Sequence, residues 1–310
     1  MPEAASLRRL LARSVDYAGL FPPCSLELGP ALANQAEYVR SDDRWMLSAF
    51  VLPVARFEEA KPHFGQFTRD HPLRLSALGA AKGSAAEFRD ELKTVTDAIL
   101  SLRATSDGSV VVEQLEMALP KEGASVDLLA EVRATALSLN LPTFWEASAK
   151  SAAITIELLA QTNESEGAPR LGFKLRTGGV QADAFPPAGD IAVALAEAVR
   201  QDVPIKFTAG LHHPIRQFRD EVGTKMYGFL NVLGAGVLAA EHGLKADQLT
   251  AMLEGENFDE FSFSDDAFKW RDWSVETSHI EKHREVITSF GSCSFNEPRE
   301  DLREHGLLSE

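Results

Sequence analysis

Two lysines occupy segments that otherwise read as core. Lys174 lies in "GFKLRTGG", residues 172–179, and Lys206 in "IKFTAGLHH", residues 205–213, each a short apolar run that ends in a glycine turn. Side chains alternate across a strand, so Lys174 and Arg176 share one face while Phe173 and Leu175 take the other. The same parity puts Lys206 and Thr208 opposite Ile205 and Phe207. An unpaired buried ammonium is costly, and burial drives it towards the neutral amine. Two ammoniums aimed at one apolar volume would each make the other harder to protonate. A free amine attacks a carbonyl carbon to give a Schiff base, an electron sink for carbon–carbon cleavage, condensation or dehydration.

Carboxylates complete such chemistry by moving protons. Glu146 in "LPTFWEAS" is placed inward together with Phe144, and Glu116 in "VVVEQLEMALP" is the candidate from the strand before, with Glu113 on the opposite parity as its rival. Both glutamates also suit a structural role, neutralising the lysines in an interior ion network. Asp16 of "VDYAGLFPP" is either a further carboxylate at the mouth or a turn former. The "RTGG" turn offers backbone N–H groups beside Arg176, with Arg216 near, so a carboxylate or phosphate could be held there. Thr177, Gly178, Thr208 and Gly210 join the substrate-binding candidates on that ground, as do His212 and His213 just past the second lysine strand. A histidine facing in with Glu116 and Glu146 would supply the ligand types of a divalent-metal site, although the chain has no HxH or HExxH spacing. Cys293, in "SFGSCSF", reads as a small buried thiol.

The elements that would position these residues alternate in type. Strands are expected at 45–53, 73–80, 110–120, 141–148, 171–179 and 203–210, and helices at 55–67, 85–103, 124–139, 149–161 and 189–201. Parallel strands joined by helical crossovers follow from that order. Two weaker strands, 14–21 before a helical stretch at 25–41 and 258–265 after a long helical region at 217–254, bring the count to eight. The expectation is a single α/β domain over residues 1–310, a (β/α)8 TIM barrel. A helix over about 5–13 covers one end, and a helical extension, residues 266–310, packs on the barrel. The lysines then point to the C-terminal mouth, where barrel enzymes place their chemistry. An open dinucleotide-binding sheet is disfavoured because no GxGxxG follows the first strand. "QTNESEGAPR" (161–170) reads as a surface loop, and the apolar 226–243 stretch as a close-packed core or subunit helix, which leaves a homo-oligomer open.

"KLRTGG" and "IKFTAGL" resemble the consecutive lysine strands of class I, Schiff-base aldolases of the deoxyribose-phosphate aldolase kind, and "FWEAS" is similar to that family's fifth strand. The resemblance implies that Lys174 forms the imine, that Lys206 is the neighbouring cation that lowers its pKa, and that Glu146 is the matching carboxylate. Glu116 is the nearest equivalent of the family's aspartate on the fourth strand. Arg176 replaces a small hydroxyl residue and the two histidines replace an arginine–threonine turn, so the likeness, over about a third of the chain, carries lysine geometry and not the family's substrate.

A net charge of −15, from 46 acidic against 31 basic residues, argues against a nucleic-acid backbone or an anionic membrane face as partner. Two distant cysteines imply a reducing setting, and no signal peptide or membrane-spanning run is read, so the expected location is cytoplasmic. The functional expectation is an aldolase-like carbon–carbon lyase on a small anionic carbonyl compound, needing no cofactor. Its alternatives are a divalent-metal-dependent lyase or isomerase and a non-catalytic binding barrel.

Overall fold

The computed structural model describes residues 3–164 and 169–309. Eight parallel strands close into a barrel: β1 (Val15–Tyr17), β2 (Leu47–Pro53), β3 (Leu73–Leu78), β4 (Val110–Ala118), β5 (Thr143–Ala147), β6 (Leu171–Arg176), β7 (Ile205–Thr208) and, last in sequence, a strand at Ile287–Ser292 that pairs with both β7 and β1. Between β7 and that last strand lie a hairpin, β8 (Gln217–Arg219) and β9 (Thr224–Met226), and a three-stranded antiparallel sheet, β10 (Phe261–Phe263), β11 (Ala267–Trp270) and β12 (Trp273–Glu276), so the closing strand is β13.

The helices are α1 (Ala5–Leu11), α2 (Leu28–Tyr38), α3 (Phe57–Ala60), α4 (Ala85–Thr105), α5 (Val126–Leu139), α6 (Ala152–Asn163), α7 (Ala188–Arg200), α8 (Phe229–His242), α9 (Ala246–Leu253), α10 (Thr277–His283) and α11 (Asn296–Glu304). Their ends carry recognisable signals. Ser84 and Glu87 form a reciprocal capping box at the start of α4, and Ser125 caps α5, each satisfying backbone N–H groups that a helix start leaves free. α8 stops at Gly243, which takes the left-handed conformation (φ 64°) that glycine adopts without steric cost. Parallel strands covered by helices are buried on both faces, and Leu171, Phe173, Leu175, Ile205 and Phe207 are fully buried beneath the helical layer.

The (β/α)8 expectation therefore holds, with three corrections. The strand expected at 258–265 is not the eighth stave, since residues 261–263 open the small antiparallel sheet instead. The barrel is closed by β13, inside the segment expected to be an extension. The long helical region expected at 217–254 begins instead with the β8–β9 hairpin, and its helical part is α8 and α9. In α8, a side chain at Gly234 would run into Met252 and Phe268, and one at Gly236 into Ile287, so the small residues serve core packing against the barrel. α1 lies at the N-terminal end of the strands, where the Arg284 guanidinium donates to the backbone carbonyls of Leu10 and Thr288 and stitches the chain start to β13. The polar connection 161–170 falls partly outside the described residues. No helix among the described residues is long and apolar enough to cross a membrane.

Candidate active site

Pairing across the barrel sets Glu146, Lys174 and Lys206 side by side as register partners on β5, β6 and β7. All three point inward, as strand parity requires. On β6 the inward residue one step deeper is Gly172, where a Cβ would fall 2.6 Å from the Phe144 ring. Phe144 thus fills the floor beneath the lysines, and its ring centre lies 5.4 Å from Lys206 Nζ.

The charges form an alternating chain. Asp16 Oδ2 accepts from Lys206 Nζ at 2.8 Å and from Ser289 Oγ at 2.6 Å, and its other oxygen accepts from the Ala49 amide at 3.2 Å. Lys206 also donates to Glu116, whose same oxygen accepts from Ser76 Oγ. The second Glu116 oxygen lies 3.0 Å from Lys174 Nζ, which lies 2.9 Å from Glu146 Oε2. Glu146 Oε1 accepts from the Arg176 guanidinium at 3.2 Å. Three cations alternate with three carboxylates, formally neutral, in an order that runs from the sealed interior to solvent. Asp16 is wholly buried, Lys206 is 1% exposed and Lys174 5%, while the Arg176 side chain is 53% exposed.

This arrangement corrects the electrostatic expectation. Burial pushes the Lys174 amine down, but Glu116 and Glu146 outweigh it, and the net effect raises its pKa above the ordinary value. Burial acts on Glu116 and Glu146 in the upward sense, and here too the opposing charges prevail, Lys206 and Lys174 on the first and Lys174 and Arg176 on the second, leaving both low. The resting lysine is an ammonium. A carboxylate held low stabilises the fold above its ordinary value of 4.5 and loses that contribution as pH falls, whereas a lysine held high contributes below 10.5 and loses it as pH rises. Urea midpoints are therefore expected to be flat from about pH 5 to about pH 10 and to fall on both sides; a midpoint still rising below the carboxylate range would contradict the network.

The chain opens on the C-terminal mouth. A cavity of about 360 Å³ is lined by Glu116, Lys174, Arg176, Lys206 and Thr208, with Gly178 and Gly179 on one wall and His212, Gly291 and Cys293 on another. A second, of about 270 Å³, reaches Glu146, Lys174 and Arg176 from the β2–β3 side. Lys174 stands between the two, with a carboxylate towards each. The loop after β7 turns sharply because Ala209 (φ 61°) and Gly210 (φ 78°) are both left-handed, a conformation that costs a non-glycine residue about 1–2 kcal/mol. Thr177 is buried behind the wall, where its hydroxyl donates to Ala209 O at 2.6 Å and pins that turn.

Other candidates are placed elsewhere. Glu113, the rival of Glu116, pairs with Arg13 and Arg74 at the far end of the barrel. Asp16 is not at the mouth but is the deep counterion of Lys206. Arg216 pairs with Glu256 at 2.5 Å and does not line either mouth cavity. The two histidines turn to α11, where His212 Nδ1 lies 3.0 Å from Glu297 and His213 Nδ1 2.6 Å from Asp301. Glu116, Glu146 and a histidine are therefore not assembled as metal ligands; the group of His, Cys and Glu that does converge among the described residues is His212, Cys293 and Glu297. Burial pushes the Cys293 thiol up, with Cys24 beside it, which leaves it a poor nucleophile. Ser76 and Ser289, which orient the two innermost carboxylates, carry no sequence signal beyond lying on strands.

No protein-family model matches the chain, and no curated protein is similar to it. Fold and site define a (β/α)8 barrel with a buried lysine–carboxylate centre at its C-terminal mouth.

Proposed function

We propose that the barrel is an enzyme, an aldolase-like carbon–carbon lyase that holds a small anionic carbonyl compound as a Schiff base on Lys174. The observation that carries the reading is the position of that amine: nearly enclosed, facing a cavity sized for a small metabolite, and within 3.0 Å of two carboxylates. Lys206 is the less suitable nucleophile because it is almost fully buried and held between Asp16 and Glu116.

The ammonium must lose a proton before it can attack. An anionic group entering beside Arg176 competes with Glu146 for the guanidinium, which raises the proton affinity of Glu146 and makes it the acceptor for the Lys174 proton. The free amine then bonds to the carbonyl carbon, and the carbonyl oxygen leaves as water, taking one proton from the amine and one back from Glu146, which restores the carboxylate for the next step. In the cleavage direction Glu146 takes the proton of the substrate hydroxyl as the carbon–carbon bond breaks and its electron pair moves to the imine nitrogen. Glu116, fixed between both lysines, keeps a negative charge beside the cationic imine. Glu146→Gln is expected to lower turnover by about 10²- to 10⁴-fold, the usual range for a proton-transfer group, and to slow borohydride trapping on Lys174, since both steps use its carboxylate; unchanged turnover would remove Glu146 from the reaction.

Borohydride reduction in the presence of a panel of small keto acids and phosphorylated aldehydes, followed by peptide mass mapping, tests the reading. A reduced adduct on Lys174 is expected. Adducts confined to surface lysines, with no ligand raising the melting temperature, would leave a binding barrel whose lysines are simply neutralised.

A further inference from the structure

Four side chains from four separate segments meet at the edge of the mouth. Cys24 comes from the β1–α2 loop, His212 from the loop after β7, Cys293 from the residue after β13, and Glu297 from the first turn of α11. The Cys24 and Cys293 sulfurs are 2.6 Å apart, Cys293 Sγ is 4.0 Å from His212 Nδ1, and that nitrogen is 3.0 Å from Glu297 Oε2. The use of one nitrogen is informative. In a thiol–imidazole–carboxylate relay the acid and the thiol address opposite ring nitrogens, whereas here carboxylate and thiol both face Nδ1. His212, Cys293 and Glu297 each present a ligand atom within 4.8 Å of the others. That is convergence on a point, and the Cys24 sulfur stands beside it.

We infer that Cys24, His212, Cys293 and Glu297 form a binding site for a thiophilic divalent cation of the zinc type. Two sulfurs, one imidazole nitrogen and one carboxylate oxygen are donors such an ion takes in tetrahedral geometry. Metal–sulfur bonds of about 2.3 Å place two tetrahedral sulfur ligands about 3.8 Å apart, so the sulfurs must separate on loading, a movement open to Cys24 on its exposed loop. Binding forms two metal–sulfur bonds, one metal–nitrogen bond and one metal–oxygen bond, the two thiol protons passing to solvent, with no change in oxidation state. The four-donor set is closed, which makes the ion a clamp that ties the β1–α2 loop and the β7 loop to β13 and α11. His212 and Cys293 line the cavity that holds Lys174, so the clamp would fix one wall of the candidate active site without taking part in imine chemistry.

The test uses the untagged full chain, reduced with a phosphine, stripped with a chelator and titrated with cobalt(II). One equivalent is expected, with thiolate-to-cobalt charge transfer and the intense visible bands of tetrahedral cobalt; zinc(II) should displace it and raise the melting temperature. Cys293→Ser should abolish the charge-transfer band. Cys24→Ser, at an exposed position that leaves folding intact, should roughly halve the band and weaken binding at least about tenfold, the scale of losing support at a metal site. Uptake well below one equivalent, a spectrum insensitive to either cysteine substitution, or a Cys24–Cys293 disulfide in freshly isolated protein that takes up no cobalt after reduction would overturn the assignment.

Discussion

Lys174→Ala is expected to remove measurable turnover of whichever carbonyl compound is trapped, a loss of about 10³- to 10⁶-fold in kcat, the scale seen when a covalent nucleophile is deleted. Two contrasts separate loss of chemistry from loss of structure. The first is stability. Lys174 borders both mouth cavities, so water can reach Glu146, and Glu116 keeps Lys206 and Ser76 as partners. The protein should fold with a modest deficit in urea midpoint. The second is Lys174→Arg, which preserves charge and much of the packing but supplies no nucleophile. It should be as inactive as the alanine variant and more stable. Retained activity in either, or a borohydride adduct that persists without Lys174, would transfer the role elsewhere.

Strand parity located the inward faces because its period of two leaves only two choices, and the turn residues after each lysine named the end of the barrel. Lys174, Lys206, Arg176 and Glu146 were legible for that reason. Glu116 and Glu113 were separable only by register: pairing of β3 with β4 shifts between Leu75–Val112 and Ser76–Gln114, and a skipped residue flips everything beyond it. Asp16 was ambiguous because a three-residue strand shows no alternation, and all of Val15, Asp16 and Tyr17 are buried. The eighth stave was misplaced for a similar reason. Residues 261–263 and 287–292 are both short and mix apolar with hydroxyl residues, and their partners decide between them, β11 for the first and β1 with β7 for the second. The histidines depend on carboxylates about 85 residues later, Glu297 and Asp301, spaced to share one face of α11. The protonation of Lys174 was misread because two lysines were weighed against each other, when two carboxylates, Glu116 and Glu146, decide the balance.

The deepest pair yields the largest effect on stability. Lys206→Met fills most of the volume but strips Asp16, fully buried, of the cation bonded to it, and takes one of two from Glu116. Removing one partner of a buried ion pair leaves a charge whose desolvation is no longer offset, at a cost of about 3–5 kcal/mol, a large share of what holds a domain folded. Hydrogen bonds from Ser289 and Ala49 to Asp16 keep the loss within that range, because they stabilise the carboxylate without neutralising it. The partner substitution tests the cause. Asp16→Asn retains a carbonyl oxygen for those donors and removes the stranded charge, so Lys206→Met combined with Asp16→Asn should recover a substantial part of the stability lost in Lys206→Met alone. Equilibrium urea unfolding of the wild type, both single variants and the double variant gives the coupling. A double variant no more stable than Lys206→Met would place the energy in packing around the lysine stem, and would deny that Asp16 and Lys206 anchor the charge chain on which Lys174 depends.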